Sequence, residues 1–329
     1  MLVVLRKEAD PGAVERALAG AGLWCRRLQA RAGDTPTQLW VLPFSQEVSA
    51  EALLAIDGVA AIADSPSPHP RLDAQPRPAI VAGVRFGVAE APVLLAGPCA
   101  VESAAQISEL ARRLARQGVR FLRGGAFKPR SSPYAFRGHG VEALGWLRRA
   151  AEENGLGVVT EALGEGDVDA VVEHADLVQI GSRNMQNFAL LRACGKRARP
   201  ILLKRGMAAT LEEWRLAAEH CLEAGAPSVL LCERGLRGFD GETRNLLDLG
   251  AVALLAHVHG LPVVVDPSHA SGRRDLVVPL SRAALAAGAA GLLIETHADP
   301  SAALSDGPQA LLPEELARIG APAPREGHS

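Results

Sequence analysis

The sequence predicts an α/β protein in which a closed (β/α)8 TIM barrel follows a small βαββαβ, ferredoxin-like domain. Three observations carry this reading. Eight short apolar, β-branched runs recur over about 250 residues at a mean spacing of about 28, the repeat of strand–helix units in a closed barrel. Those runs are apolar throughout rather than alternating, as strands are when other structure covers both faces. Ahead of them, β-α-β-β-α-β order fills a leading stretch that ends in clustered prolines, Ser65-Pro-Ser-Pro-His-Pro70 and Gln75-Pro-Arg-Pro78. With 329 residues the chain has room for about two domains at roughly 150 residues each.

Along the chain, the expected domain 1–65 opens with a strand at 2–5 and a helix at 11–21 that Gly22 stops. Strands at 24–30 and 38–42 flank a Gly33-Asp34 turn, a helix at 49–56 is capped by Ser49, and a strand at 59–63 closes the unit. Residues 66–79 read as a linker, because clustered prolines resist helix and central strand alike. The barrel is expected over 80–320, with a hairpin at 80–87 closing its bottom and a disordered tail at 321–329. Its strands are expected at 93–96, 119–122, 157–159, 177–180, 201–203, 228–231, 263–265 and 291–294. Amphipathic segments at 104–116, 141–154, 211–224 and 246–259 supply helices between them. Capping boxes Ser103-Ala-Ala-Gln106 and Thr210-Leu-Glu-Glu213 open two of these, and glycines such as Gly118, Gly155 and Gly225 close the helices. An open doubly wound sheet competes, but the first unit has no G-x-G-x-x-G turn and eight repeats suit closure.

Composition narrows the function. Hydrophobic residues at 48% and charged residues at 22% describe an ordinary globular chain. A formal charge of −2 gives no reason to expect nucleic acid or an anionic membrane as partner. The longest apolar stretch, 283–294, falls short of the roughly 20 residues of a membrane span. The N-terminus turns charged by Arg6 and does not read as a signal peptide. Five scattered cysteines fit a reducing, cytoplasmic setting.

In such a barrel the residues that follow each strand build the site. Here they are dense in charge: Arg123 and Lys128 after strand 2, Arg183 after strand 4, Lys204-Arg205 after strand 5, and Glu233-Arg234 after strand 6. Converging cations repel unless a polyanion neutralises them, and arginine forks suit phosphate and carboxylate oxygens. The pattern therefore implies phosphorylated, carboxylated small molecules; salt bridges to Glu161, Glu233 and Asp266 are the plainer alternative. Cys99, His269, Glu295 and Asp306 follow strands 1, 7 and 8, which are neighbours in a closed barrel. A thiolate, an imidazole and two carboxylates make a mixed site for a divalent transition metal. A nucleophilic Cys99 is the rival reading, without a Cys–His–Asn signature to support it.

Six motifs, in order, carry a resemblance. Gly97-Pro98-Cys99, Arg123-Gly-Gly-Ala-Phe-Lys128-Pro-Arg130-Ser131, Gln179-Ile-Gly-Ser-Arg183-Asn, Leu203-Lys204-Arg-Gly, Cys232-Glu-Arg234-Gly and Asp266-Pro-Ser-His269 resemble 3-deoxy-D-arabino-heptulosonate 7-phosphate (DAHP) synthase. More narrowly, the chain resembles the type Iβ subgroup with an N-terminal ferredoxin-like domain. The resemblance implies condensation of phosphoenolpyruvate with erythrose 4-phosphate, the first step of the shikimate pathway of aromatic amino acid biosynthesis. It implies Cys99, His269, Glu295 and Asp306 as ligands of Mn2+, Fe2+, Co2+ or Zn2+. Arg123, Lys128, Arg183, Lys204 and Arg234 would hold phosphoenolpyruvate, while Lys128, Pro129, Arg130 and Ser131 would receive erythrose 4-phosphate. Glu161 and Lys204 would serve the attacking water and proton transfer, and Lys128 and His269 complete the expected catalytic set. Phe127 stands where the family has Tyr, Ser131 where it has Thr, and Thr296 where it has Val; none of these changes removes a ligand.

The resemblance also implies a homodimer or homotetramer and an aromatic amino acid as effector of the N-terminal domain. The segment Cys25-Arg26-Arg27-Leu28-Gln29-Ala30 lacks the His and Ser associated with tyrosine binding, so the effector stays open. Two alternatives remain. One is 3-deoxy-D-manno-octulosonate 8-phosphate synthase, which uses arabinose 5-phosphate and typically shows Lys-Ala-Asn-Arg where this chain has Lys128-Pro129-Arg130. The other, of a different class, is a non-catalytic amino-acid-sensing barrel.

Overall fold

The computed structural model describes residues 1–28, 37–42, 45–46, 48–63, 67–128, 134 and 136–320. The chain divides into two compact units, Met1–Pro68 and His69–Ser329.

The first unit runs β1 (Leu2–Leu5), α1 (Pro11–Gly20), β2 (Cys25–Leu28), β3 (Gln38–Val41), α2 (Ala50–Leu54) and β4 (Val59–Ala63). Its sheet has the order β2-β3-β1-β4, with β1 antiparallel to both neighbours. Each helix thus links two strands that a third strand separates, the split βαβ arrangement. Period-2 alternation turns Val3 and Leu5 of β1 and Leu39 and Val41 of β3 onto Val14, Leu18 and Leu53 of the helices. Asp10 and Ser49 cap the two helices, accepting from the amides of Gly12 (2.9 Å) and Ala52 (3.2 Å). The expected Gly33-Asp34 turn and the end of the second strand lie outside the described residues.

The second unit starts with α3 (Pro70–Ala74) and an antiparallel hairpin, β5 (Ala79–Val81) and β6 (Val84–Phe86). The barrel follows: β7 (Val93–Gly97), α4 (Ala104–Ala115), β8 (Phe121–Arg123), α5 (Val141–Glu153), β9 (Gly157–Ala162), α6 (Val168–His174), β10 (Leu177–Ile180) and α7 (Phe188–Lys196). It continues with β11 (Ile201–Lys204), α8 (Leu211–Glu223), β12 (Val229–Glu233), α9 (Leu249–Ala253), β13 (Val263–Val265), α10 (Pro267–Ser271), α11 (Arg274–Ala286) and β14 (Gly291–Glu295). All neighbours are parallel, and β14 closes on β7 with Glu295 opposite Gly97. Leu95, Phe121, Val159, Leu177, Leu202, Leu230, Val264 and Leu293 fill the interior, where Ala79, Val81 and Phe86 of the hairpin join them. Phe86 packs on Phe121 with ring centroids 5.7 Å apart, at the end where the strands begin. That end is plugged, so ligands have the other. Among the described residues no helix is long and apolar enough to cross a membrane.

Three local expectations need correction. The prolines of 66–79 do not make all of that stretch a linker. Pro70 sits at the start of α3, where its missing N–H costs nothing. Glu219 accepts the free amides of Arg71 (3.1 Å) and Leu72 (2.9 Å), Leu72 is fully buried in the barrel's outer core, and Gln75 pairs with both backbone groups of Val229. Next, Ser103 caps α4, but Gln106 returns its side-chain oxygen to the amide of Glu102 rather than of Ser103, so that box is not reciprocal. Finally, the helix expected over 246–259 starts only at Leu249 and ends in a π-helical stretch, Leu254–Val258, because Leu246 is bridged to Leu236.

Leu72→Ala is expected to destabilise the barrel by about 2–5 kcal/mol, the range for truncating a buried leucine. A chain beginning at Ile80 should likewise melt below one beginning at His69. Equal urea midpoints for the two shortened chains would contradict the role given to α3.

Candidate active site

The carboxyl ends of the strands bring thiol, imidazole and carboxylates together. Cys99 follows β7 after Gly97-Pro98. A Cβ at Gly97 would run into the Arg123 carbonyl, so glycine is what lets this turn lie close against β8. The Cys99 thiol donates to Asp306 Oδ2 (2.9 Å), and Lys128 Nζ reaches both Cys99 Sγ and its carbonyl at 2.8 Å. Sγ and carboxylate oxygens of Glu295 and Asp306 all lie within 4.8 Å of one another. His269, the fourth expected ligand, stands beside this group rather than within it, with Nε2 3.3 Å from Glu295 Oε1.

Asp266 fixes that imidazole. Its Oδ1 caps α10 by accepting from the His269 amide (2.9 Å), while Oδ2 accepts from His269 Nδ1 (2.7 Å) and Lys204 Nζ (2.6 Å). His269 and Lys204 hold the fully buried Asp266 carboxyl well below its usual range despite the opposing effect of burial. An ionised carboxylate can only accept, so Nδ1 carries a proton and Nε2 faces the cluster.

The cluster fits a divalent cation on the chemistry of its donors. Burial, then Glu295, push the Cys99 thiol up to about 12 although Lys128 and Arg123 pull the other way. Against burial, the Cys99 hydrogen bond, His269, Arg244 and Lys128 bring Asp306 down to about 2. Burial likewise opposes ionisation of Glu295, which His269 and Arg123 keep below its ordinary value. Two ionised carboxylates and a proton-retaining thiol converge on one point, where a cation would relieve the repulsion and release the thiol proton.

Beside the cluster opens a cleft lined by six cationic residues, Arg123, Lys128, Arg183, Lys204, Arg234 and Arg244, with Glu161, Gln179, His269 and Asp306. Arg123 ends β8, donates to Glu295 Oε1 (2.7 Å) and Pro98 O (3.0 Å), and is pinned between them. Arg234 follows β12, is buried, and among the described residues finds only long contacts of 3.4 Å to the carbonyls of Gly235 and His269. Burial, which disfavours its charge, holds that guanidinium below its ordinary value. Arg183 sits in the turn Ser182–Asn184 and has no hydrogen-bond partner among the described residues. Glu161, within β9, accepts from Gln179 Nε2 (3.0 Å). A Cβ at Gly181 would strike that carboxylate, so the glycine leaves room for it.

Thus Cys99, His269, Glu295, Asp306, Arg123, Lys128, Glu161, Arg183, Lys204 and Arg234 meet at one mouth. Pro129, Arg130 and Ser131 lie outside the described residues. The plainer salt-bridge alternative also holds in part. Lys204 pairs with Asp266, while Arg205 turns away to Glu233 (3.0 Å) and Asp248 (2.9 Å) with its guanidinium over Trp214. Arg244 and Gln309 escaped the sequence reading. Both lie well past a strand end on segments that return to the mouth, and neither position is marked by a strand-end motif.

Residues 69–322 match the family described as "DAHP synthetase I family". The chain is 53% identical over 218 residues to a Thermotoga maritima protein called phospho-2-dehydro-3-deoxyheptonate aldolase; the match covers 66% of this chain but only 64% of that relative, slightly under two thirds of its length. A crystal structure of a Thermotoga maritima protein of that name, also called DAHP synthase, superposes with a TM-score of 0.74 at 40% identity, over 97% of this chain and 94% of that one. An Alkalilimnicola ehrlichii protein called 2-dehydro-3-deoxyphosphooctonate aldolase is 32% identical over 246 residues, covering 69% of this chain and 88% of its own.

Proposed function

The chain belongs to the DAHP synthetase I family, and from that premise we propose that it is a transferase, a 3-deoxy-7-phosphoheptulonate synthase. It condenses phosphoenolpyruvate with erythrose 4-phosphate and water to give DAHP and inorganic phosphate, opening aromatic amino acid biosynthesis. One observation supports this reading above others: six cationic residues line a single cleft beside a cluster of metal-type donors. Two phosphorylated substrates, one of them also a carboxylate, supply the anionic charge such a cleft calls for.

In this reading Arg123, Lys128, Arg183, Lys204 and Arg234 hold the carboxylate and phosphate of phosphoenolpyruvate. Arg130 and Ser131, with Lys128 and Pro129, receive erythrose 4-phosphate. A divalent ion (Mn2+, Fe2+, Co2+ or Zn2+) held by Cys99, His269, Glu295 and Asp306 supplies Lewis acidity toward the aldehyde oxygen when bound. C3 of phosphoenolpyruvate forms the new bond to the aldehyde carbon, and positive character develops at C2. Glu161 takes a proton from the water that adds at C2, and the former aldehyde oxygen gains one. As the bond from C2 to the phosphate oxygen breaks, Lys204 donates to the leaving phosphate and the C2 hydroxyl gives up its proton to leave the ketone. Asp266 holds Lys204 and His269 from behind, so one buried carboxylate aligns both.

The metal reading carries a pH dependence. With its thiol pushed up to about 12, Cys99 is protonated at neutral pH and gives up that proton to bind as thiolate. Raising the pH therefore tightens metal binding, by about tenfold per unit near neutrality if one proton leaves per ion bound. Competition with a chromophoric chelator at several pH values measures the slope. A flat profile would contradict thiolate ligation.

The type Iβ reading is supported by the βαββαβ unit ahead of the barrel and by a structural match covering 97% of this chain. That unit would respond to an aromatic amino acid, and the chain would work in the cytoplasm as a homodimer or homotetramer. Identical, unresponsive rates for the full chain and one beginning at His69, each with Tyr, Phe or Trp, would reject regulation.

A turnover assay pairs phosphoenolpyruvate with erythrose 4-phosphate or with arabinose 5-phosphate, on metal-stripped and reconstituted protein. Faster phosphate release with erythrose 4-phosphate supports the proposal. Preference for arabinose 5-phosphate would favour the octulosonate enzyme, and no turnover with either would favour a non-catalytic barrel.

A further inference from the structure

Gln309 joins the two acidic members of the cluster. It is buried, at 3% exposure, and ends the short turn Gly307–Gln309 that directly follows Asp306. Its Nε2 donates to Glu295 Oε2, and its Oε1 accepts from Arg244 Nη1 at 3.2 Å. The same Nη1 is 3.4 Å from Asp306 Oδ1. Chemistry dictates this orientation of the amide, since an ionised carboxylate can only accept and a guanidinium can only donate. Arg123 occupies the other oxygen of Glu295 (2.7 Å), so the carboxylate is gripped at both ends. Asp306 takes the left-handed conformation (φ 54°), and a Cβ at Gly307 would meet the Pro300 carbonyl. One tight turn thus delivers a carboxylate to the cluster and, through Gln309, orients a second carboxylate arriving on β14.

We propose that Gln309, clamped by Arg244, is a positioning residue that holds Glu295 and Asp306 in the arrangement in which they bind a divalent cation, and so sets the affinity of the site. This rests on the metal reading above and adds residues that do not themselves ligate. Orienting partners behind metal ligands typically change affinity by roughly ten- to a hundredfold when removed.

The test uses the full, metal-stripped chain with Co2+ as probe, titrated against a chromophoric chelator while the thiolate-to-cobalt absorption reports Cys99. Gln309→Leu removes both hydrogen bonds at similar volume. Gln309→Asn keeps an amide that falls one bond short and preserves a buried polar group should the leucine variant misfold. Both are expected to bind Co2+ roughly ten- to a hundredfold more weakly, with the thiolate band retained at saturation. At saturating Co2+ their KM for phosphoenolpyruvate should stay within about twofold, as expected when substrate contacts are untouched. Affinity of either folded variant within about twofold of the unsubstituted chain would overturn the proposal alone. Absence of Cys99-dependent Co2+ binding by the unsubstituted chain would overturn the metal reading and this proposal together.

Discussion

Cys99→Ala is expected to lower kcat by about a thousandfold or more while leaving the chain folded. A Lewis acid contributes several kcal/mol at a developing alkoxide, and each 1.36 kcal/mol is tenfold in rate, so losing about 4 kcal/mol costs about three orders of magnitude. The fold tolerates the change because the neighbours keep other partners. Lys128 still donates to the residue-99 carbonyl, and Asp306 still faces Arg244. A small, buried thiol is also removed with little loss of volume. Steady-state rates with added Mn2+, beside a melting curve, measure both halves of the expectation. A well-folded variant retaining more than about a tenth of the rate would remove Cys99 from the mechanism.

Lys204→Met should damage stability and catalysis together, whereas Arg183→Ala should damage catalysis alone. Lys204 Nζ sits 2.6 Å from the fully buried Asp266, and removing one partner of a buried pair leaves a charge uncompensated. Such losses run to about 3–5 kcal/mol; here the lower end applies, since His269 Nδ1 still donates to the carboxylate. On the proposed mechanism, catalysis would also lose a phosphoenolpyruvate contact and the proton donor. Arg183 has no partner to strand among the described residues, so its removal should leave the urea midpoint nearly unchanged. Its charge-assisted contacts to substrate, at about 1.5–3 kcal/mol, predict a loss of roughly ten- to a hundredfold in kcat/KM for phosphoenolpyruvate. Equal stability losses for the two variants would contradict the different roles given to them.

Much of this was legible in the chain because burial on both faces leaves a simple mark. Leu177–Ile180 and Val263–Val265 read as strands since they are apolar but for Gln179, which is itself buried and whose amide serves Glu161. The site was legible where a functional side chain directly follows such a run, as Lys204 and Glu295 do. It was illegible where the chain travels first. Arg244 reaches the mouth on an excursion held by the Leu236–Leu246 bridge, and Gln309 reaches it through the turn after Asp306. Nor could local sequence separate Lys204, which faces the cleft, from Arg205, which turns to Glu233 and Asp248. Adjacent residues at a strand end point to opposite sides, and only packing says which side is the mouth. The α3 segment was misread for a related reason: a proline that forbids a helix interior is well suited to its first turn.

On the proposed function, one rim of one barrel holds both the cation ring and the single divalent metal that the chemistry needs. Titrating metal-stripped protein with Mn2+ while following DAHP formation reads both at once. The rate should be negligible without metal and rise linearly to a break at one equivalent per chain. Full turnover under excess chelator, with no response to added metal, would contradict it.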